Sequence, residues 1–191
     1  MTEAPIKAVA IGASAGAVQA LLQILPSLPA SYPFPVLIVV HVPPDRRNAL
    51  VPLFQMKCQI EVKEAEDKDP ALAGVVYFAP SDYHLLVEVD GSLSLSSDEL
   101  VNHSRPSIDV LFESSADAFG PALVGVILTG ANHDGALGLR AVMDAGGVAI
   151  VEDPADAHAS TMPAAALSAC SSAKAMKLDA ITSYLLSLGT A

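Results

Sequence analysis

Three residue types that together perform acyl transfer stand at the ends of apolar runs in this chain: Ser14, His41 and Asp134. Ser14 lies within Gly12-Ala13-Ser14-Ala15-Gly16, a G-x-S-x-G pattern placed where a strand turns into a helix. Small neighbours there allow a sharp turn that lifts the serine hydroxyl above the sheet edge. Backbone N–H groups at the start of the following helix can meet a developing oxyanion. The same glycine-rich turn also suits a dinucleotide phosphate or plain tight packing, so the motif alone leaves those readings open. His41 follows the next apolar run, where an imidazole either accepts a serine proton or caps a strand. Asp134 falls in Leu128-Thr129-Gly130-Ala131-Asn132-His133-Asp134-Gly135-Ala136. A carboxylate in that position either orients an imidazole or N-caps the helix that follows.

The elements that must position these groups are legible as alternating patterns. Lys7–Ile11 reads as a strand ending at Gly12, Ala17–Leu25 as a helix stopped by Pro26, and Val36–His41 as an uncharged, β-branched strand ending before Pro43-Pro44. A helix is expected over Asp45–Lys57. Short strands are expected near Ile60–Glu64 and Val75–Ala79, then a hairpin over Leu85–Leu95 turning at Asp90-Gly91. Pro106–Phe119 reads as a helix, Val124–Leu128 as a strand, Ala136–Ala145 as a helix closed by Gly146-Gly147, and Val148–Val151 as a strand. A helix near Pro163–Cys170, a strand near Ala173–Leu178 and a helix over Asp179–Leu188 complete the pattern. The fold class expected is three-layer α/β/α, with a mostly parallel, doubly wound sheet and an inserted antiparallel hairpin. In such a sheet Ser14, His41 and Asp134 all sit past carboxyl ends of strands, on the edge where open α/β sheets bind ligands.

Composition narrows the classes of function. The 191 residues suit one domain, and a 52% apolar, 16% charged composition departs from the roughly 45–50% and about 25% of ordinary soluble domains in a direction that excludes disorder. A formal charge of −11 repels phosphate backbones and anionic bilayers, which argues against nucleic acid as a partner. Between Lys7 and Asp45 no charge occurs, yet Pro26, Pro29, Pro33 and Pro35 break that stretch into pieces too short to cross a bilayer. Cys58 and Cys170 lack C-x-x-C spacing, so a reducing cytoplasm is expected and no disulfide framework. His133 and Glu152-Asp153 raise the thought of a metal, but the H-x-x-x-H and H-E-x-x-H spacings are missing, and neither metal nor cofactor is expected. A nucleotide-binding module is the competing reading of Gly12–Gly16. It is weakened by a second strand that ends in His41 rather than an acidic ribose ligand. The order serine, histidine, aspartate, with gaps of 27 and 93 residues, differs from the α/β-hydrolase order, in which the acid precedes the histidine.

Five stretches in one order carry a resemblance: Ile11-Gly12-Ala13-Ser14; Val40-His41-Val42-Pro43; Arg105-Pro106-Ser107-Ile108-Asp109-Val110-Leu111-Phe112; Leu128-Thr129-Gly130 through Asp134-Gly135-Ala136; and Glu152-Asp153-Pro154 leading to Met162-Pro163. With these the chain resembles the catalytic domain of the chemotaxis-type protein-glutamate methylesterases, CheB, over nearly its whole length. The resemblance implies hydrolysis of glutamyl methyl esters on methylated chemoreceptors or related signalling proteins, with glutamine deamidation in some members. The catalytic serine, histidine and aspartate of the family then fall on Ser14, His41 and Asp134. The backbone N–H groups of Ala15 and Ala131 are candidates for the oxyanion hole. Arg105 is either a substrate-side residue or a helix-entry arginine in a surface ion pair. The chain departs from the family pattern at Ala17, where a second glycine is usual, and at Ala131, where a methionine is usual. One domain over residues 1–191 with no receiver domain is expected, so that regulation either differs from that of receiver-bearing members or comes from a separate protein. A non-catalytic docking module of the same fold is the alternative.

Overall fold

The computed structural model describes residues 5–41 and 49–189. Its centre is β1 (Ala8–Ala13), buried along its whole length and flanked by parallel strands on both sides, β2 (Val36–Val40) and β7 (Leu123–Ile127). The sheet continues outward through β4 (Val75–Phe78) to β3 (Glu61–Glu64) on one side, and through β8 (Val148–Glu152) to β9 (Lys174–Met176) on the other. The seven strands run in the order β3-β4-β2-β1-β7-β8-β9, and every pairing is parallel. A strand covered on both faces has no solvent side to alternate towards, which is why the central strands are continuous runs of Val, Ile, Leu and Ala.

Alternate side chains of β1 feed two separate cores. Val9, Ile11 and Ala13 pack with α1 (Ala17–Ile24), α2 (Leu50–Lys57) and α6 (Leu178–Leu188). Ala8 and Ala10 face α3 (Ile108–Phe119), α4 (Ala136–Asp144) and α5 (Thr161–Ala169). The hairpin β5 (His84–Val87) and β6 (Leu93–Ser96) forms a two-stranded sheet of its own against α3. From β1 the chain first builds outward through β2, and after α3 it returns to β1's other side and builds outward through β8. The crevice beyond β1 and β7 is therefore the topological switch point.

Several element ends differ from the sequence expectation. β1 runs through Gly12 to Ala13, because a buried parallel strand gains ladder bonds on both sides and glycine does not interrupt them. α1 ends at Ile24 and passes into a single 3₁₀ turn, Leu25–Ser27, that accommodates Pro26. β2 stops at Val40, leaving His41 just past its end. α2 begins at Leu50; Val42 to Asn48, including Pro43-Pro44 and the first part of the expected 45–57 helix, lie outside the described residues. The hairpin turn spans residues 88–92 rather than two residues, with Gly91 at φ 85° and its N–H donating to Glu88 O. α3 starts at Ile108 with Ser107 as N-cap, two residues later than Pro106.

Candidate active site

Strand register brings the serine and the histidine together. Ala13 lies opposite Val40 and Gly12 opposite Ile127, so the residues that follow, Ser14, His41 and the Leu128-Thr129 pair, leave the sheet side by side. His41 N–H donates to Ala13 O at 3.2 Å, and Ser14 N–H donates to Thr129 O at 2.9 Å. Ser14 and His41 line one open hollow of about 310 Å³ together with Gly16, Ala17, Val18, Gln19, Val40 and Leu50.

The serine turn is held from below by Thr129. Its hydroxyl donates to Ala15 O at 2.8 Å and accepts the N–H of Ala159 at 2.8 Å, while its own N–H donates to Glu152 Oε2 at 2.7 Å. Burial pushes the Glu152 carboxyl above the usual range and nearby Asp156 adds to this, against the opposing bond from Thr129. Gly16, the N-cap of α1, takes φ 85°, a left-handed conformation that costs glycine little. A Cβ there would also come within 2.7 Å of His158 Cβ. The N–H groups of Ala15 and Ala131 donate to no other described residue, and both residues are exposed.

Asp134 reaches His41 from the loop between β7 and α4. Its Oδ2 lies 2.7 Å from His41 Nε2, with the aspartate fully buried and the histidine side chain 12% exposed. The carboxylate also accepts from Ile108 N–H at 2.7 Å, Ser107 Oγ at 2.8 Å, Asn102 Nδ2 at 2.8 Å and Asp109 N–H at 3.2 Å. Burial alone would raise its pKa. The bonds from His41, Ile108 and Asn102 overcome that and hold the carboxyl below the usual aspartate range. An ionised Asp134 only accepts, so the proton shared with His41 sits on Nε2 and the ring's remaining lone pair is on Nδ1.

Of the two roles open to Asp134 in the sequence, N-capping of the helix that follows is corrected by this geometry. α4 is entered through Gly135 with no side-chain cap, and Asp134 instead receives the first two N–H groups of α3. The exchange is mutual, because Asp109 in the first turn of α3 accepts Gly138 N–H of α4 at 2.6 Å. Asp109 of α3 thus serves the N-terminus of α4, and Asp134, in the loop just before α4, serves that of α3, where the helix dipole favours negative charge. Asn102 Nδ2 bridges the two carboxylates, 2.7 Å from Asp109 Oδ2 and 2.8 Å from Asp134 Oδ1. Burial raises the Asp109 carboxyl above its ordinary range, the Gly138 bond opposes this, and neighbouring Asp134 raises it further.

Arg105 borders a second cavity, of about 170 Å³, that His41 also lines, with Asp82, Leu100, His103, Ser104 and Pro106 completing the wall. Its guanidinium is bonded within the protein, to Asp82 Oδ1 at 2.7 and 3.1 Å and to the carbonyls of Ser97 and Asp98, both at 2.8 Å. His41 therefore stands between the Ser14 hollow and the Arg105 cavity. His133 is exposed, Glu152 is buried behind Thr129, and among the described residues no group of three His, Cys, Asp or Glu side chains converges on a metal position.

Several members of this constellation carried no reading of their own in the sequence. Thr129, Ser107 and Asp109 lie inside motif stretches, but their partners lie on other elements. Asn132 sits two residues before Asp134, and its Oδ1 accepts Asp134 N–H at 3.1 Å, a short-range asparagine pattern that the local spacing could have signalled. Asn102 had no sequence signal: it stands in an isolated turn at φ 52°, a conformation asparagine tolerates better than most residues.

Comparison with known proteins gives one consistent result. The family model described as CheB methylesterase matches residues 9–185. A Leptospira interrogans protein, provisionally named protein-glutamate methylesterase/protein-glutamine glutaminase, is 43% identical over 182 residues, covering 95% of this chain and 94% of that protein. A Geobacter metallireducens protein-glutamate methylesterase/protein-glutamine glutaminase is 37% identical over 191 residues; the match covers 98% of this chain but 54% of that relative, so the present chain spans about half its length. The crystal structure of the Thermotoga maritima CheB methylesterase catalytic domain superimposes with a TM-score of 0.91 at 31% identity, covering 97% of this chain and 100% of that one.

Proposed function

The chain belongs to the CheB methylesterase family, and from that premise we propose that it is a cytoplasmic serine hydrolase that demethylates glutamyl methyl esters on methylated chemoreceptors or related signalling proteins. The observation that carries this reading is the alignment of Ser14 beside His41 at adjacent strand ends, with His41 Nε2 bonded at 2.7 Å to a buried, ionised Asp134.

Because Nε2 is committed to Asp134, Nδ1 is the base. The Ser14 hydroxyl oxygen attacks the ester carbonyl as its proton passes to Nδ1, and Asp134 balances the imidazolium. The N–H groups of Ala15 and Ala131 are the proposed donors to the oxyanion, a role whose loss typically costs about 3–4 kcal/mol. Collapse of the intermediate releases methanol, which takes the proton from Nδ1. Water then gives a proton to Nδ1 of His41 and attacks the glutamyl-enzyme carbonyl; the bond to the Ser14 oxygen breaks, Ser14 takes the proton back from Nδ1, and the glutamyl carboxylate leaves with its own proton lost to solvent. Glutamine deamidation follows the same course with ammonia as the leaving group. Arg105 acts on the substrate side by fixing the wall of the second cavity through its bonds to Asp82, Ser97 and Asp98. No helix among the described residues is long and apolar enough to cross a membrane, which accords with a substrate presented from a receptor's soluble part.

The test is methanol release from a methylated receptor fragment, run beside Ser14→Ala. Wild type should release methanol, and the variant should fall below a few per cent of it while keeping its fold. Equal release by both would overturn the assignment.

A further inference from the structure

His41 has a third partner that the mechanism above leaves unused. Asn132 Nδ2 lies 3.2 Å from His41 Nδ1, the atom that must receive the serine proton. The orientation of this amide is fixed by its other end, since Asn132 Oδ1 accepts the N–H of Asp134 at 3.1 Å and the oxygen must therefore face the backbone. The nitrogen is left pointing at Nδ1 as a donor. With Nε2–H directed to ionised Asp134, the neutral ring has one acceptor site, and Asn132 occupies it. The Ser14 hydroxyl makes no hydrogen bond to another described residue, so serine and base are not engaged in this arrangement.

We propose that Asn132 is a positioning residue that holds neutral His41 in the Nε2–H tautomer and must withdraw from Nδ1 before the proton of Ser14 can be taken. The proposal rests on the serine-hydrolase reading of this site. Its physical content is that a donor aimed at a lone pair favours the unprotonated ring, and opposes a ring that carries hydrogen on both nitrogens. Once the Ser14 proton is on Nδ1, two donors would face one another across 3.2 Å, so proton uptake and release of the amide must occur together. Asn132 lies in the loop between β7 and α4 and is part-exposed, so it has room to turn away while Asp134 stays in place.

Among the described residues, the titratable and charged groups around His41 are Asp134 in direct contact and Asp82, His103 and Arg105 on the wall of the shared cavity. Asp109 lies behind Asp134 and is joined to it through Asn102. Asp82 and Arg105 are paired with each other. None of these groups is altered by substitution at Asn132, which makes the effect of that residue separable.

Two variants read the proposal in opposite chemical senses. Asn132→Ala removes the donor. Asn132→Asp keeps an oxygen for Asp134 N–H but turns a carboxylate towards Nδ1, which favours the imidazolium. The measurements are the pH profile of kcat/KM on methylated receptor fragment and the titration of the His41 ring nitrogens by ¹⁵N NMR in the substrate-free protein. The acidic limb and the NMR midpoint should both move to higher pH, by about half to one unit for Asn132→Ala and further for Asn132→Asp. A purely structural loop residue would lower the plateau without moving either midpoint. NMR midpoints of both variants that superimpose on wild type would overturn the proposal, whatever the activity. Midpoints that move as expected in a protein that releases no methanol would leave the role of Asn132 intact and contradict the methylesterase reading instead.

Discussion

The two ends of the proposed triad are held in opposite ways. Asp134 is fully buried and accepts five hydrogen bonds, from His41, Asn102, Ser107, Ile108 and Asp109, drawing on both the hairpin-to-α3 segment and the first turn of α3. Ser14 is part-exposed in an open hollow and is fixed only through its backbone, by Thr129 below it and by the left-handed turn at Gly16. The difference follows from the chemistry each must do. A carboxylate that stays ionised under burial needs donors on every side, whereas a nucleophile must keep its oxygen free and reachable. Fold stability and catalysis therefore share residues at the aspartate end and separate at the serine end.

That contrast breaks most sharply with alanine at His41 and Asp134. His41→Ala should lower turnover by roughly a thousandfold or more, since triad members act as a unit, with about 1 kcal/mol of stability lost because Asp134 keeps four other donors. Asp134→Ala should lower turnover comparably and also strip the acceptor from the N-terminus of α3, at a stability cost of about 3 kcal/mol or more. Turnover on methylated fragment and urea midpoints measured side by side check the pair. Equal stability loss in the two variants would show that Asp134 does not anchor the helices.

Two buried carboxyls respond to pH in opposite senses, with a smaller effect. Asp134 is held below its ordinary range, so its contribution to stability is present above the unfolded aspartate value of about 3.9 and is lost as pH falls through the folded one. Glu152, raised by burial, works in the other sense: its contribution is full below the unfolded value of about 4.3 and is lost as pH rises through its folded value. Glu152→Gln keeps an oxygen for Thr129 N–H and removes the titration. Its stability should decline less than that of wild type over the interval just above about pH 4.3, because Asp109, also raised by burial, still titrates there. Parallel wild-type and variant curves there would mean that Glu152 does not titrate abnormally.

The sequence made the serine end of this site easier to read than the aspartate end. Ser14 and His41 are announced by what precedes them, apolar strands that stop, and the parallel register then leaves little freedom in where they meet. The fold class was legible for the same reason, since a buried parallel strand and an amphipathic helix have different hydrophobic periods. The mutual capping of α3 and α4 was not legible. It depends on residues 109 and 134 being brought together by packing between helices, and Asp134 by local spacing alone reads as the cap of its own following helix. Arg105 shows the same limit, because its partners Asp82, Ser97 and Asp98 lie on a turn and a strand end that no local pattern joins. Asn102 bridges two carboxylates from a turn with no motif around it.

Activation of Ser14 through His41 can be read by covalent trapping. An alkyl fluorophosphonate reacts with a serine only when its hydroxyl is activated, and it needs no receptor substrate. Intact mass followed by peptide mapping should give a single adduct on Ser14, absent in Ser14→Ala and formed at least a hundredfold more slowly in His41→Ala. An adduct on another residue, or labelling of Ser14 at the same rate without His41, would show that His41 does not activate Ser14.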